Sequence, residues 1–147
     1  MLEFDDAPKG LARLIYASRA NGLGGDFSEQ VRAILVKSIH NNRLAAISGF
    51  LVVGEGRFLQ ALEGPAVEVE ATFQRISQDR RHDDIVVIAR GAADRRLFRD
   101  WNLAQHHIVA SDLPLLTEVG LSAFTPDVLG EEQALRVLTA FGGRYRR

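Results

Sequence analysis

Apolar and polar positions set out a mixed pattern along the chain. Residues 11–18 (LARLIYAS) alternate around an apolar centre, which predicts a strand with Leu14 and Tyr16 on one face and Ile15 on the other. The cluster NGLGG at 21–25 predicts a turn. Asp26 and Glu29 can form a capping box, and Phe27, Val31, Ile34, Leu35 and Ile39 recur at helical spacing. Residues 28–41 therefore read as an amphipathic helix, closed by Asn41 and Asn42 because Asn tolerates the left-handed conformation. Segments 46–53 (AISGFLVV) and 57–62 (RFLQAL) read as strands joined by a hairpin turn at Gly54, Glu55 and Gly56. In the returning strand Phe58, Gln60 and Leu62 share one face, and Leu59 and Ala61 the other.

Pro65 is expected at the first helical position, where its missing N–H is not needed. Ala66, Val69, Phe73 and Ile76 then form the buried stripe of a second helix ending near Asp79. Residues 84–90 (DIVVIAR) read as a fourth strand and 96–103 (RLFRDWNL) as a shorter fifth. The order is β-α-β-β-α-β with one strand added. It predicts an α+β fold, a ferredoxin-like βαββαββ sheet with two helices on one face. Beyond His107, Ser111, Asp112 and Pro114 mark a helix start, and 127–141 predicts a further helix with Ala134, Leu135, Leu138 and Phe141 on one stripe, stopped by Gly142 and Gly143. These helices are expected to cover the other sheet face. The expected division is a lead-in at 1–10, a domain at 11–104 and a C-terminal helical cap or output segment at 105–147.

Composition narrows the chemistry. The chain has 147 residues, 46% of them apolar and 25% charged, as in ordinary globular domains. A net charge of −1 gives no global attraction to nucleic acid or anionic membranes, and the terminal Arg144, Arg146 and Arg147 read as a solvated tail. The absence of cysteine removes disulfides, thiolate metal sites and cysteine nucleophiles. No apolar run nears the ~18 residues of a membrane span, and the acidic start is unlike a secretory signal, so a cytoplasmic protein is expected.

Few residues suggest chemistry by pattern alone. Gln60 stands in an apolar strand, and a buried carboxamide must find partners for its donors and acceptors. Tyr16 is a candidate partner, and Asn42 at the helix end could point into the same space. The plainer alternative, Gln60 facing solvent on an open sheet, stands at even weight on pattern alone. His40, His82, His106 and His107 lack metal-ligand spacing and read as surface histidines. Gly22, Gly24 and Gly25 follow a strand and precede a helix, yet match neither nucleotide fingerprint. Arg80, Arg81, Arg95 and Arg96 read as solvated rather than anion-binding, and no Ser/His/Asp triad is suggested.

Several of these segments together resemble the BLUF family of blue-light sensors. They are LIYAS at 14–18, NNRLAAISGFL at 41–51, GRFLQALEGP at 56–65, ISQDRRH at 76–82 and RLFRDW at 96–101. The resemblance runs from Leu11 to about Leu103 with order and spacing kept. It implies a flavin held between the two helices, with its ring edge toward the sheet. On this pattern Tyr16 matches the photoactive tyrosine, Gln60 the switching glutamine and Asn42 the asparagine on the ring's pyrimidine edge. Asn41 and Arg75 match residues near the flavin's polar end and carbonyl edge, Asp79 an acidic neighbour of that arginine, and Trp101 the tryptophan of the last strand. Ile34 and Ile76 are counted among the flavin contacts. The implied cofactor is FAD, with FMN and riboflavin as alternatives. The family's switch, transferred here, is a light-driven exchange at Tyr16 that leaves Gln60 rotated or tautomerised. Leu103, which lacks the polarizable sulfur, stands where the family usually has Met, and Ser48 stands where Thr is common.

The resemblance implies a sensor with no enzymatic activity of its own, since no effector domain fits in 104–147. Output is expected through a downstream signalling protein or a change of oligomer. Apolar stripes on the tail helices suggest a homo-oligomer. No nucleic acid, membrane or metal partner is expected. The competing readings are a ferredoxin-like small hydrolase of the acylphosphatase type and a ligand-binding module without photoactivity.

Overall fold

The computed structural model describes residues 10–20, 47–78, 82–98 and 104–143. Strand β1 spans Leu11–Ala20, β2 Ser48–Gly54, β3 Arg57–Pro65, β4 His82–Ala92 and β5 Ala104–His107. Helix α1 spans Ala66–Ser77, α2 Leu113–Glu118 and α3 Glu131–Gly142, with short 3-10 turns at Ala110–Asp112 and Pro126–Val128. The sheet order is β4-β1-β3-β2-β5. Strands β1 and β2 both run antiparallel to β3, β4 runs antiparallel to β1, and β5 runs parallel to β2. The first four strands thus have the ferredoxin-like arrangement, with β5 added beside β2.

Each central strand is apolar on both sides, so the sheet is a middle layer. One face carries Leu14, Tyr16, Leu51, Phe58 and Leu62 and packs on Val69, Phe73 and Ile76 of α1. The other carries Ile15, Ala17, Phe50, Val52, Leu59 and Ala61 and packs on Phe98, Leu116, Phe124, Val137, Leu138 and Phe141. The period-2 reading of β1 and β3 is therefore observed side chain by side chain. The β2–β3 hairpin turns on Glu55 at φ 52° and Gly56 at φ 75°. Two consecutive positive φ values give the mirror-image turn whose twist suits a two-residue hairpin, and glycine takes its place there without a Cβ clash.

Four expectations need correction. Residues 96–98 do not open the expected fifth strand, since the amides of Leu97 and Phe98 are engaged by Glu63; the described β5 pairs with β2 over Ala104–His107, and 99–103 lie outside the described residues. Pro65 ends β3 and caps α1 instead of opening it, since its ψ of 138° is extended. The helix expected over 127–141 is broken: Leu129 at ψ 147° and Gly130 at ψ 178° are extended, and α3 starts at Glu131. The apolar stripe of the last helix is not left for self-association, because Ala134, Leu138 and Phe141 are buried against the sheet. The helix expected at 28–41 lies outside the described residues.

Candidate functional site

The β1–β3 register sets Tyr16 directly opposite Gln60, and the β2–β3 register sets Leu51 on Gln60's other side. Opposed residues of neighbouring strands project to the same face. Both Tyr16 and Gln60 have 0% exposure, so Gln60 does not face solvent. The Tyr16 hydroxyl donates to Gln60 Oε1 at 2.6 Å. The phenol ring leans on Phe73 of α1, with centroids 5.3 Å apart and planes at 55°. Burial pushes the Tyr16 phenol well above the ordinary phenol range, because its anion would lose water and gain no compensating charge.

Gln60 Nε2 is buried and has no hydrogen-bond partner among the described residues. An unpartnered amide donor in an apolar layer costs about 1–3 kcal/mol unless an acceptor meets it. The tyrosine–glutamine pair is thus a half-satisfied polar unit beneath α1. Ile76 is buried on the same face, whereas Arg75 lies on the exposed side of α1, its Nη2 within 3.4 Å of Thr72 Oγ1. Ile34, Asn41, Asn42, Asp79, Trp101 and Leu103 lie outside the described residues.

Two polar centres escaped the sequence reading. Glu63 on β3 is fully buried and is paired by Arg13 Nε at 2.7 Å. The pair stands on directly opposed positions of β1 and β3, so the register could have exposed it. The second is at His106, which is no plain surface histidine. Its Nε2 lies 2.9 Å from Asp112 Oδ2, and its ring stacks on Phe141 at 4.7 Å. Asp112 also accepts the Val109 N–H at 2.9 Å. His107, the neighbour in β5, is exposed, as alternation requires. Among the described residues, no group of acidic and histidine side chains could hold a metal ion, and no helix is long and apolar enough to cross a membrane. Arg96 is also not simply solvated, since its Nη1 donates to Ser48 Oγ at 2.8 Å.

The chain and its fold have known counterparts. The family model for BLUF, "Sensors of blue-light using FAD", matches residues 11–104, and the chain belongs to this family. Among curated proteins it is 31% identical over 99 residues to photoactivated adenylate cyclase subunit beta of Euglena longa, covering 67% of this chain and 11% of that protein. It is 30% identical over 98 residues to the alpha-like protein FB of Euglena gracilis, covering 67% of this chain and 10% of the relative. The chain therefore spans only about a tenth of the length of the curated relatives it matches. Among solved structures, BlsA in its photo-activated state aligns with TM-score 0.77 at 27% identity, over 90% of this chain and 94% of BlsA. The dark-state structure of BlrB, a BLUF protein, aligns with TM-score 0.69 at 25% identity, over 92% of this chain and 97% of BlrB. Klebsiella pneumoniae BlrP1 with FMN and cyclic diGMP aligns over 92% of this chain but 36% of its own, with TM-score 0.61 and 27% identity.

Proposed function

We propose that this chain is a blue-light switch in which Tyr16 and Gln60 form the light-responsive pair beside a bound flavin. The observation that carries the reading is the buried Tyr16–Gln60 hydrogen bond, with an Nε2 donor that has no partner among the described residues, in a chain of the BLUF family. A flavin ring bears carbonyl and imine acceptors at its edge, which is what an unpartnered carboxamide donor requires. The residue types therefore fit the group. Gln60 would hold its edge, Asn42 its pyrimidine side and Ile76 its face, with Asn41, Arg75, Asp79 and Ile34 around it. FAD is the resident flavin on this reading.

When bound and excited by blue light, the flavin supplies a strong oxidant. Tyr16 is the group able to release and recover an electron and its phenolic proton. Its neutral form is enforced by burial, so the proton is present at ordinary pH. Gln60 is the element with two stable states. Its carboxamide can exchange the positions of Oε1 and Nε2, and a phenol both donates and accepts, so either orientation keeps the contact with Tyr16. Only the group offered to the ring changes. The ring edge meets a donor in one state and an acceptor in the other. The cycle closes without net chemistry, so the chain acts as a switch and carries no enzymatic activity of its own. Residues 11–104 would form the sensor and 105–147 the cap through which output passes to a signalling protein or a second copy.

The test is spectroscopic. The purified protein is expected to be yellow and to show a reversible red shift of the flavin band under blue light. A colourless protein that does not take up added FAD would overturn the reading. A yellow protein without a light-induced shift would point to a flavin-binding module that does not switch.

A further inference from the structure

The strand that carries Gln60 also carries Glu63, which the switch described above does not use. Its side chain leaves the opposite sheet face and has no exposed surface. In register it stands between Arg13 of β1 and Ser48 of β2. Arg13 Nε donates to Oε2 at 2.7 Å. The Leu97 N–H lies 3.0 Å from each carboxylate oxygen, and the Phe98 N–H donates to Oε1 at 2.9 Å. The surrounding groups brace the same segment. Arg13 Nη2 donates to the Arg95 carbonyl at 2.9 Å, and Arg96 Nη1 donates to Ser48 Oγ at 2.8 Å and to the Glu63 carbonyl at 3.3 Å. Residues 95–98 are thus bound to β1, β2 and β3 at once. This segment leads directly to Trp101 and then to β5.

We propose that Glu63 is a positioning residue whose carboxylate clamps residues 95–98 to the Gln60 strand, thereby setting the lifetime of the lit state. The proposal rests on the photoreceptor reading above. Its physical basis is the cost of parting a buried carboxylate from its donors. A shift of β3 that follows rearrangement of Gln60 must carry the 95–98 segment with it or break charge-assisted bonds in an apolar layer. The clamped arrangement is the resting one, so weakening it slows the return to rest. A side chain that only stabilised the fold would lower the melting temperature and leave the cycle unchanged.

Trp101 is the single tryptophan of the chain, so its fluorescence reports the segment without a label. The experiment compares the full chain with Glu63→Gln, which keeps size and polarity but replaces one acceptor oxygen by a donor. Acrylamide quenching of Trp101 is read in the dark, with and without FAD. Dark return of the flavin band is read after a blue pulse. The expected result is an undiminished red shift, stronger quenching, and a dark return slowed about tenfold, the factor that loss of one charge-assisted hydrogen bond gives. If Glu63→Gln does not fold, Arg13→Gln, which removes the charge partner alone, is read in the same two ways. Unchanged quenching, or an unchanged or faster return at full red shift, overturns the clamp. If the wild-type chain shows no red shift, the photoreceptor reading fails. Quenching without FAD then still judges whether Glu63 holds the tryptophan segment.

Discussion

At the residue scale, a phenol and a carboxamide face each other in an apolar layer, with one amide donor that no described residue meets. Tyr16→Phe removes the hydroxyl but little volume, and Gln60→Leu removes the amide while keeping an apolar fill. Both variants are expected to retain flavin and lose the reversible red shift; a wild-type shift in either, read by absorbance, would refute that residue's role. The phenol's raised pKa makes a second prediction. Above about pH 10 an unfolded tyrosine loses its proton while buried Tyr16 keeps it. The unfolded state then binds fewer protons, so stability falls as pH rises through that range. Urea melts at pH 9 to 11, ordinary values around the tyrosine pKa, should show a steeper decline in wild type than in Tyr16→Phe. Equal slopes would mean that the phenol is not desolvated. Much of this pair was legible from sequence. A glutamine among strand apolars is conspicuous, and the period of two placed it on the Phe58 and Leu62 face. Its burial was not legible, because a sheet face pattern does not say whether a layer lies over it.

At the element scale, the tail is an integral layer. Helix α3 places Val137, Leu138 and Phe141 on the sheet face opposite α1. Leu138→Ala is expected to cost about 2–5 kcal/mol in denaturant unfolding, since it removes buried methyl groups and leaves a cavity. A loss below about 1 kcal/mol would mean the helix is not packed as described. Asp112 joins β5 to α2 through His106 and the Val109 amide. Asp112→Ala should destabilise by about 1–3 kcal/mol, because it strands a buried donor. The α3 stripe was readable because side chains at helical spacing share one face. The interruption at Leu129 and Gly130 was not, since tertiary contacts of the preceding turn decide where a helix can start. Likewise, the alternating pattern from residue 96 looks like the start of a strand, but the amides of Leu97 and Phe98 bond to a carboxylate instead of a neighbouring strand.

At the scale of the whole molecule, two apolar layers sandwich one sheet, and only one of them belongs to the proposed flavin site. A chain cut after His107 would leave Phe50, Val52, Leu59 and Ala61 facing water. Exposed contiguous apolar surface drives association, so this truncation is expected to aggregate in size-exclusion chromatography with light scattering. A folded, monomeric product would show that the tail is dispensable. Binding of the proposed flavin would couple to stability in the opposite sense. A ligand bound only by the native state adds about 2.7 kcal/mol at a hundred times its dissociation constant. Thermal melts should therefore rise with added FAD, and less so for Asn42→Ala if that side chain contacts the ring.

The sequence by itself determined the period of each segment, hence which of its residues share a face, and the order of strands and helices that makes a ferredoxin-like sheet. It also carried the motifs of the family. Local spacing suffices for these because the side-chain period is a property of the backbone alone. Only the tertiary structure decided which groups meet across strands. The hydroxyl of Tyr16 on Gln60, the guanidinium of Arg13 on Glu63 and the ring of His106 on Phe141 join residues far apart along the chain. Their pairing follows from strand register and layer packing, which no local pattern encodes.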